Sequence, residues 1–168
     1  MNYDCSRFQK GLQELRLDLS EEQIQQFLTF YEYLMEKNKV MNLTGITEFQ
    51  EVVEKHFLDS LCLVKAFPRL DTGKMPDLDL VLMDSLNKRV RFLEEVIAKL
   101  GLQNVTAVHG RAEEMARRME YRQQFDFCVS RAVSNLASLS EYCLPFVKTG
   151  GYFVSYKSAD VDEETEQA

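Results

Sequence analysis

Hydrophobic positions along this chain follow two different rhythms. Through the first 66 residues they recur at helical spacing, and Ile24, Phe27, Leu28, Tyr31 and Leu34 fall on one face of a single helix. Ser20 precedes that face and Glu21, Glu22 and Gln23 follow it. This is the start of a capping box, in which a hydroxyl and the side chain three residues on satisfy free backbone N–H groups. MNLTGIT (residues 41–47) reads as a loop. Thr47 is placed to cap a helix from Glu48 onward, and KHFLDSLCLVKAF continues at helical spacing.

From Pro76 the rhythm changes. LDLVLMD is a short apolar run ending in an acid, and a helical segment follows from Asn87 to Leu100, with Gly101 placed to end it. NVTAVHG reads as a second strand, GRAEEMARRM as a short helix and FDFCVSRAV as a third strand. SNLASLSEYCLPFVK then reads as a helix and GGYFVSYK as a fourth strand. Strands alternating with helices predict βαβ units, hence an α/β fold with a parallel sheet. The right-handed crossover rule places all strand C-terminal ends on one edge, where ligands of such sheets bind. The expected organisation is a helical region over 1–66 and a Rossmann-like domain over 67–168.

The 168 residues are 45% hydrophobic, with eleven Phe and seven Tyr, so a packed core is expected and disorder is not. No apolar run approaches the roughly 20 residues of a membrane span, and MNYDCSRFQK has no export signal. Cys5, Cys62, Cys128 and Cys143 show no CxxC spacing and read as reduced core residues of a cytoplasmic protein. With only His56 and His109, no metal site is expected. A net charge of −7 argues against a general polyanion binder, yet between Asp84 and Arg131 bases outnumber acids, while the tail DVDEETEQA is acidic. A local basic face can still meet a nucleic acid.

On this scheme the strand ends present Asp84-Ser85, His109-Gly110-Arg111, Ser130-Arg131 and Tyr156-Lys157. Nucleotide-binding sheets place a carboxylate at such a strand end for ribose hydroxyls. A helix cap serves equally well as an explanation of Asp84 in DSLN, and the residues alone leave both readings open. The loop Gly110-Arg111-Ala112-Glu113 would line a base pocket or simply start a helix with acids in its first turn. Arg131, directly after a buried strand, must reach either solvent or an anion. His56 lies among apolar residues of a helical segment, where a structural role is the commoner one.

Several segments together are more specific. MNLTGIT, KHFLDSL (55–61), DSLNKRVRFLEEV (from Asp84), VHGRAEE (108–114), SRAV (130–133) and YCLPFVKTGGYFVSYK occur in one order along the chain. That order and spacing resemble the glucose-inhibited division protein B family, RsmG, over nearly the whole chain. The resemblance implies a helical N-terminal cap on a Rossmann-like sheet, and a cytoplasmic, monomeric enzyme without membrane contact. It further implies transfer of a methyl group from S-adenosylmethionine to N7 of one guanine in 16S ribosomal RNA, within naked RNA or the small subunit. By the same resemblance Asp84, Ser85, Ala112, Glu113 and Arg131 contact the methyl donor. Lys88, Arg89, Arg111, Asn42, His56 and Lys157 match positions facing the RNA or the reacting cleft.

One departure stands out. The family carries a glycine-rich motif of the form DxGxGxGFPGIPL, its first strand and donor loop, between the KHFLDSL helix and the strand ending in Asp84. Here AFPRLDTGKMPDLDL crosses that position directly, and Asp71-Thr72-Gly73-Lys74 reads as a surface turn. Roughly fifteen to twenty residues are expected to be missing between Lys74 and Met75. The family also continues with a helix and strands where this chain ends at Ala168.

The residues agree with N7 chemistry. Guanine N7 has a lone pair and no proton, so it needs alignment rather than a general base. Attack at cytosine C5 would want a nucleophilic cysteine on a loop, whereas Cys128 falls in a strand and Cys143 in a helix. Exocyclic amines are commonly served by [DNS]PP[YFW], and SRAV stands there instead. Two other classes compete: an RNA-binding relative that has lost the donor loop, and a nicotinamide-dependent oxidoreductase. For the latter no GxGxxG precedes Asp84.

Overall fold

The computed structural model describes residues 3–67, 78–131 and 135–157. The turn expected at 71–74, the tail after Lys157 and the last two residues of SRAV lie outside them. The chain divides into two compact units, Met1–Leu82 with Arg91–Ala107, and Met83–Val90 with Val108–Ala168.

In the first unit, α1 (Ser6–Leu15) ends where Arg16 takes a left-handed conformation, φ 59°, and its N–H returns to Gln13 and Leu12 carbonyls. α2 (Glu21–Met41) opens on the expected capping box. Gln23 N–H donates to Ser20 Oγ at 3.2 Å, and Ser20 N–H donates to Gln23 Oε1 at 2.9 Å. α3 (Phe49–Val52) runs on through a π-helical turn, Val53–Leu58, into α4 (Asp59–Ala66). Its cap is Glu48, which accepts the N–H of Glu51, rather than Thr47, whose carbonyl instead receives the Tyr31 hydroxyl at 3.0 Å.

Phe8, Leu12, Tyr31, Phe49, Val52, Val53 and Phe57 form the core of these helices. Phe8 and Phe27 rings meet edge-on at 5.1 Å, and Phe27 tilts against Phe57 at 4.9 Å. Burying one such phenyl ring stabilises by about 1.5–3 kcal/mol. At Gly11 a Cβ would fall 2.3 Å from Leu58 Cδ1, so this side of α1 admits no side chain without repacking. Cys62 is exposed, which corrects the expectation of four core cysteines: α4 has no buried residue.

β1 (Leu80–Asp84) pairs with β2 (Val105–His109). Leu80 N–H donates to Asn104 O and Gly110 N–H donates to Asp84 O, so the two strands advance in the same direction. Between them α5 (Asn87–Leu100) has the expected bounds. Gly101, φ 65°, ends it with Gly101 N–H on Ala98 O and Leu102 N–H on Ile97 O. Phe92 and Val96 of α5 pack on Leu34 of α2.

In the second unit, β3 (Phe125–Arg131) pairs in parallel with β4 (Val147–Tyr156). Phe127 to Arg131 lie opposite Tyr152 to Tyr156, but Phe125 lies opposite Val147, so Lys148–Gly151 bulge out of register. Gly150, φ 84°, makes that excursion possible. The connecting helix is shorter than expected: α7 (Leu136–Cys143) gives way to a 3-10 turn, Leu144–Phe146, because Pro145 lacks an N–H to donate. The expected helix after β2 is likewise only α6 (Ala112–Met115), whose Met115 is buried with Ala116 and Phe146. The described strands thus form two two-stranded sheets rather than one continuous sheet. No described helix is long and apolar enough to cross a membrane.

Candidate functional site

β1 leaves its apolar run at Asp84, and both readings of that carboxylate prove compatible. Oδ1 accepts the N–H of Leu86 at 2.8 Å, closing a side-chain turn that leads into α5. Among the described residues, Oδ2 has a 3.5 Å ion-pair contact with Arg89 Nη1, at the limit of a hydrogen bond. One oxygen therefore holds the turn, while the other keeps acceptor capacity for a ligand hydroxyl. Ser85 beside it is exposed.

The neighbouring strand end is tied to the same place. Gly110 N–H donates to Asp84 O at 3.1 Å, and His109 Nε2 lies 3.1 Å from the Ser85 carbonyl. That His109 contact joins the two loops directly, and strand-end position is its only sequence signal. At Gly110 a Cβ would fall 2.6 Å from Met115 Cγ, so β2 passes tightly over α6. Ala112 is half-buried at the start of α6, with Glu113 and Arg111 exposed beside it. A bond from the backbone N–H of Glu113 itself, then the Arg111 guanidinium at 3.3 Å, hold the Glu113 carboxyl below its usual range.

At the end of β3, Arg131 stands over the Tyr156 ring, 5.7 Å from its centroid, and the two residues are also register partners. Ser130 is buried and Lys157 follows as a half-buried residue. Lys88 and Arg89 are exposed in the first turn of α5. Asp84, Ser85, Lys88, Arg89, Arg111, Ala112, Glu113, Arg131 and Lys157 all belong to the second unit.

Asn42 and His56 belong to the first unit. Asn42 ends α2 in a left-handed conformation, φ 51°, with its side chain exposed. His56 lies on the π-helical turn, 3.1 Å from Thr44 Oγ1. Asn38, which grips this loop, does not stand out in the sequence; its one signal is an amide a helical turn before the left-handed Asn42.

Cys128 is poorly suited to nucleophilic work, while its contact with Cys143 lowers the pKa of that neighbour. Cys128 shares a hydrogen bond with Cys143, and this together with burial raises its pKa and keeps the thiol protonated. Cys143 is buried.

A family model described as rRNA small subunit methyltransferase G matches residues 23–74 and 74–168. The chain is 51% identical to the ribosomal RNA small subunit methyltransferase G of Lachnoclostridium phytofermentans, over 98% of this chain and 76% of the relative. It is 46% identical to the protein of that name from Alkaliphilus metalliredigens (94% and 74%), and 45% identical to that of Desulforamulus reducens (100% and 78%). The last alignment runs over 186 positions against a chain of 168 residues, which leaves at least 18 positions where this chain has no residue. The two matched segments meet at Lys74, the point where the glycine-rich motif is expected. By its matched length and its identity to these relatives, the chain belongs to the rRNA small subunit methyltransferase G family.

Proposed function

We propose that this chain uses S-adenosylmethionine to methylate N7 of a guanine in 16S ribosomal RNA, in the cytoplasm. Family membership carries this reading. The uncommitted oxygen of Asp84 supports a donor site at the strand ends.

The residues present fit the nucleoside half of the donor. Asp84 Oδ2 would accept from ribose hydroxyls, with Ser85 beside it. Ala112 and Glu113 would border the adenine, and Arg131, braced on Tyr156, would meet the negatively charged end. The methionine half is less well served, since none of the seven glycines falls in a GxGxG pattern. When bound, the donor supplies an electrophilic methyl group on a positively charged sulfur.

The work of the protein is then to hold the guanine with N7 in line, not to move a proton. Lys88, Arg89, Arg111 and Lys157 would grip phosphates while the base is turned out of its stack, with Asn42 and His56 as further RNA contacts. In this scheme the helical region over 1–66 adds RNA contacts to those of the region over 67–168, which also holds the donor.

One observation favours a second reading, an RNA-binding protein without methyl transfer: the two matched segments meet at Lys74, where the donor loop is expected, and no GxGxG pattern occurs in the chain. Calorimetric titration of the chain with S-adenosylmethionine separates the two. The first reading predicts saturable binding, weakened about tenfold or more in Arg131→Ala by loss of a charged hydrogen-bond partner. No heat at millimolar donor removes the enzyme reading for this chain and leaves the second. Binding unchanged in Arg131→Ala would show that the site is assigned to the wrong residue.

A further inference from the structure

The loop between α2 and α3 is held by side chains to a degree that ending a helix does not require. Asn42 N–H already closes α2 on the Asn38 carbonyl at 3.1 Å. The Asn38 side chain then takes the next turn of chain as well. Its Oδ1 accepts Leu43 N–H at 2.6 Å and Thr44 N–H at 2.9 Å, and its Nδ2 donates to Thr44 O at 2.9 Å. Thr44 carries the grip onward. Its Oγ1 accepts Ile46 N–H at 3.0 Å and lies 3.1 Å from His56 Nε2. Tyr31 fastens the far end through Thr47 O.

Besides accepting Ile46 N–H, the Thr44 hydroxyl can either donate to Nε2 or accept from it, so the contact holds the imidazole in place in either tautomer. His56 also sits on a π-helical turn, a deviation from α-helix found frequently at functional sites. These inward polar groups of the loop are thus engaged, while Asn42 and Gly45 remain exposed on its outer side.

We infer that Asn38 and Thr44 are positioning residues for RNA engagement, holding Asn42 and His56 in one preformed arrangement that meets the RNA without first being ordered. A preformed contact loses less conformational freedom on binding than a loop ordered by its ligand, so loosening the loop weakens binding even when every contacting side chain remains. This inference rests on the proposed action on 16S RNA, but it concerns RNA binding and needs no methyl donor.

The test measures binding of 16S ribosomal RNA to the full chain by filter retention, beside thermal unfolding. Thr44→Val keeps the shape and removes the hydroxyl; RNA binding is expected to weaken about five- to tenfold, and Thr44→Ser to restore it to within about twofold. Asn42→Gly leaves the left-handed backbone and the internal loop bonds intact while deleting the exposed amide, and it is expected to weaken binding in a fully stable protein. Wild-type affinity in both Thr44→Val and Asn42→Gly overturns the inference. If the unaltered chain does not bind the RNA at all, it is the proposed function that fails.

Discussion

The carboxylate of Asp84 accepts the backbone N–H of Leu86 through one oxygen, at 2.8 Å, and leaves the other, among the described residues, with a long contact to Arg89. In the proposed donor site, turn-former and ligand acceptor are two oxygens of one residue. The division predicts different behaviour for two substitutions. Asp84→Asn keeps an oxygen for Leu86 and should unfold within about 0.5 kcal/mol of the parent, yet lose donor affinity roughly tenfold or more. Asp84→Ala should lose the same affinity and also about 1 kcal/mol of stability. Denaturant titration beside donor calorimetry measures both. Full affinity in Asp84→Asn would return the residue to a purely structural role.

Lys88 tests the basic side of the same strand end. It is exposed on the first turn of α5, and a phosphate contact there contributes mainly through released counterions. Lys88→Ala is expected to weaken binding to 16S RNA and to lower the slope of log affinity against log salt by about 0.7–0.9. Binding measured across a salt series checks this, and an unchanged slope would remove Lys88 from the RNA face.

Much of the fold and part of the site are legible in the amino-acid sequence, and the differences have physical causes. The Ser20–Gln23 box and the left-handed Gly101 mark helix ends because the signal lies in the residues that do the capping. The acid closing β1 is visible for the same reason. The π-helical turn is not, since buried Val52, Val53 and Phe57 keep a spacing that an α-helix shares. The cap falls to Glu48, one residue beyond Thr47, and the Tyr31 hydroxyl on the Thr47 carbonyl, sixteen residues apart, is a contact that no local pattern records. The expected single sheet is not seen, because the described strands pair two by two, a long-range outcome that strand alternation does not encode, and Arg89 turning back to Asp84 depends on a rotamer.

Acid should weaken the first unit through Glu95. Hydrogen bonds from Lys37 and then the Tyr33 hydroxyl hold this carboxyl below its ordinary value of 4.5. A depressed folded-state pKa contributes stability that is present above the ordinary value and is lost as pH falls through it toward the folded value. Glu95→Gln removes that dependence, so its stability should fall less than that of the parent between about pH 6 and about pH 3. Parallel denaturant titrations at the two pH values compare them, and equal losses would contradict the assignment.

Gly151 lies hard against backbone in the second unit. A Cβ there would fall 2.7 Å from the Asp126 carbonyl oxygen and 2.8 Å from Val147 Cγ1, and the first of these is backbone that cannot swing aside. Gly151→Ala should therefore destabilise by about 1–3 kcal/mol. Gly45→Ala, with nothing within 4 Å, should be close to neutral. Melting curves of the two variants decide it, and a neutral Gly151→Ala would mean that the Lys148–Gly151 bulge yields more readily than its close contacts imply.

Methyl transfer itself tests the proposed function without intermediaries. The chain is incubated with tritiated S-adenosylmethionine and small ribosomal subunits or free 16S RNA that lack the modification, and the labelled base is identified. The expected result is label in one guanine per RNA, at N7, revealed by strand scission after borohydride and aniline. Label on another atom, or RNA bound with no label incorporated, would contradict it.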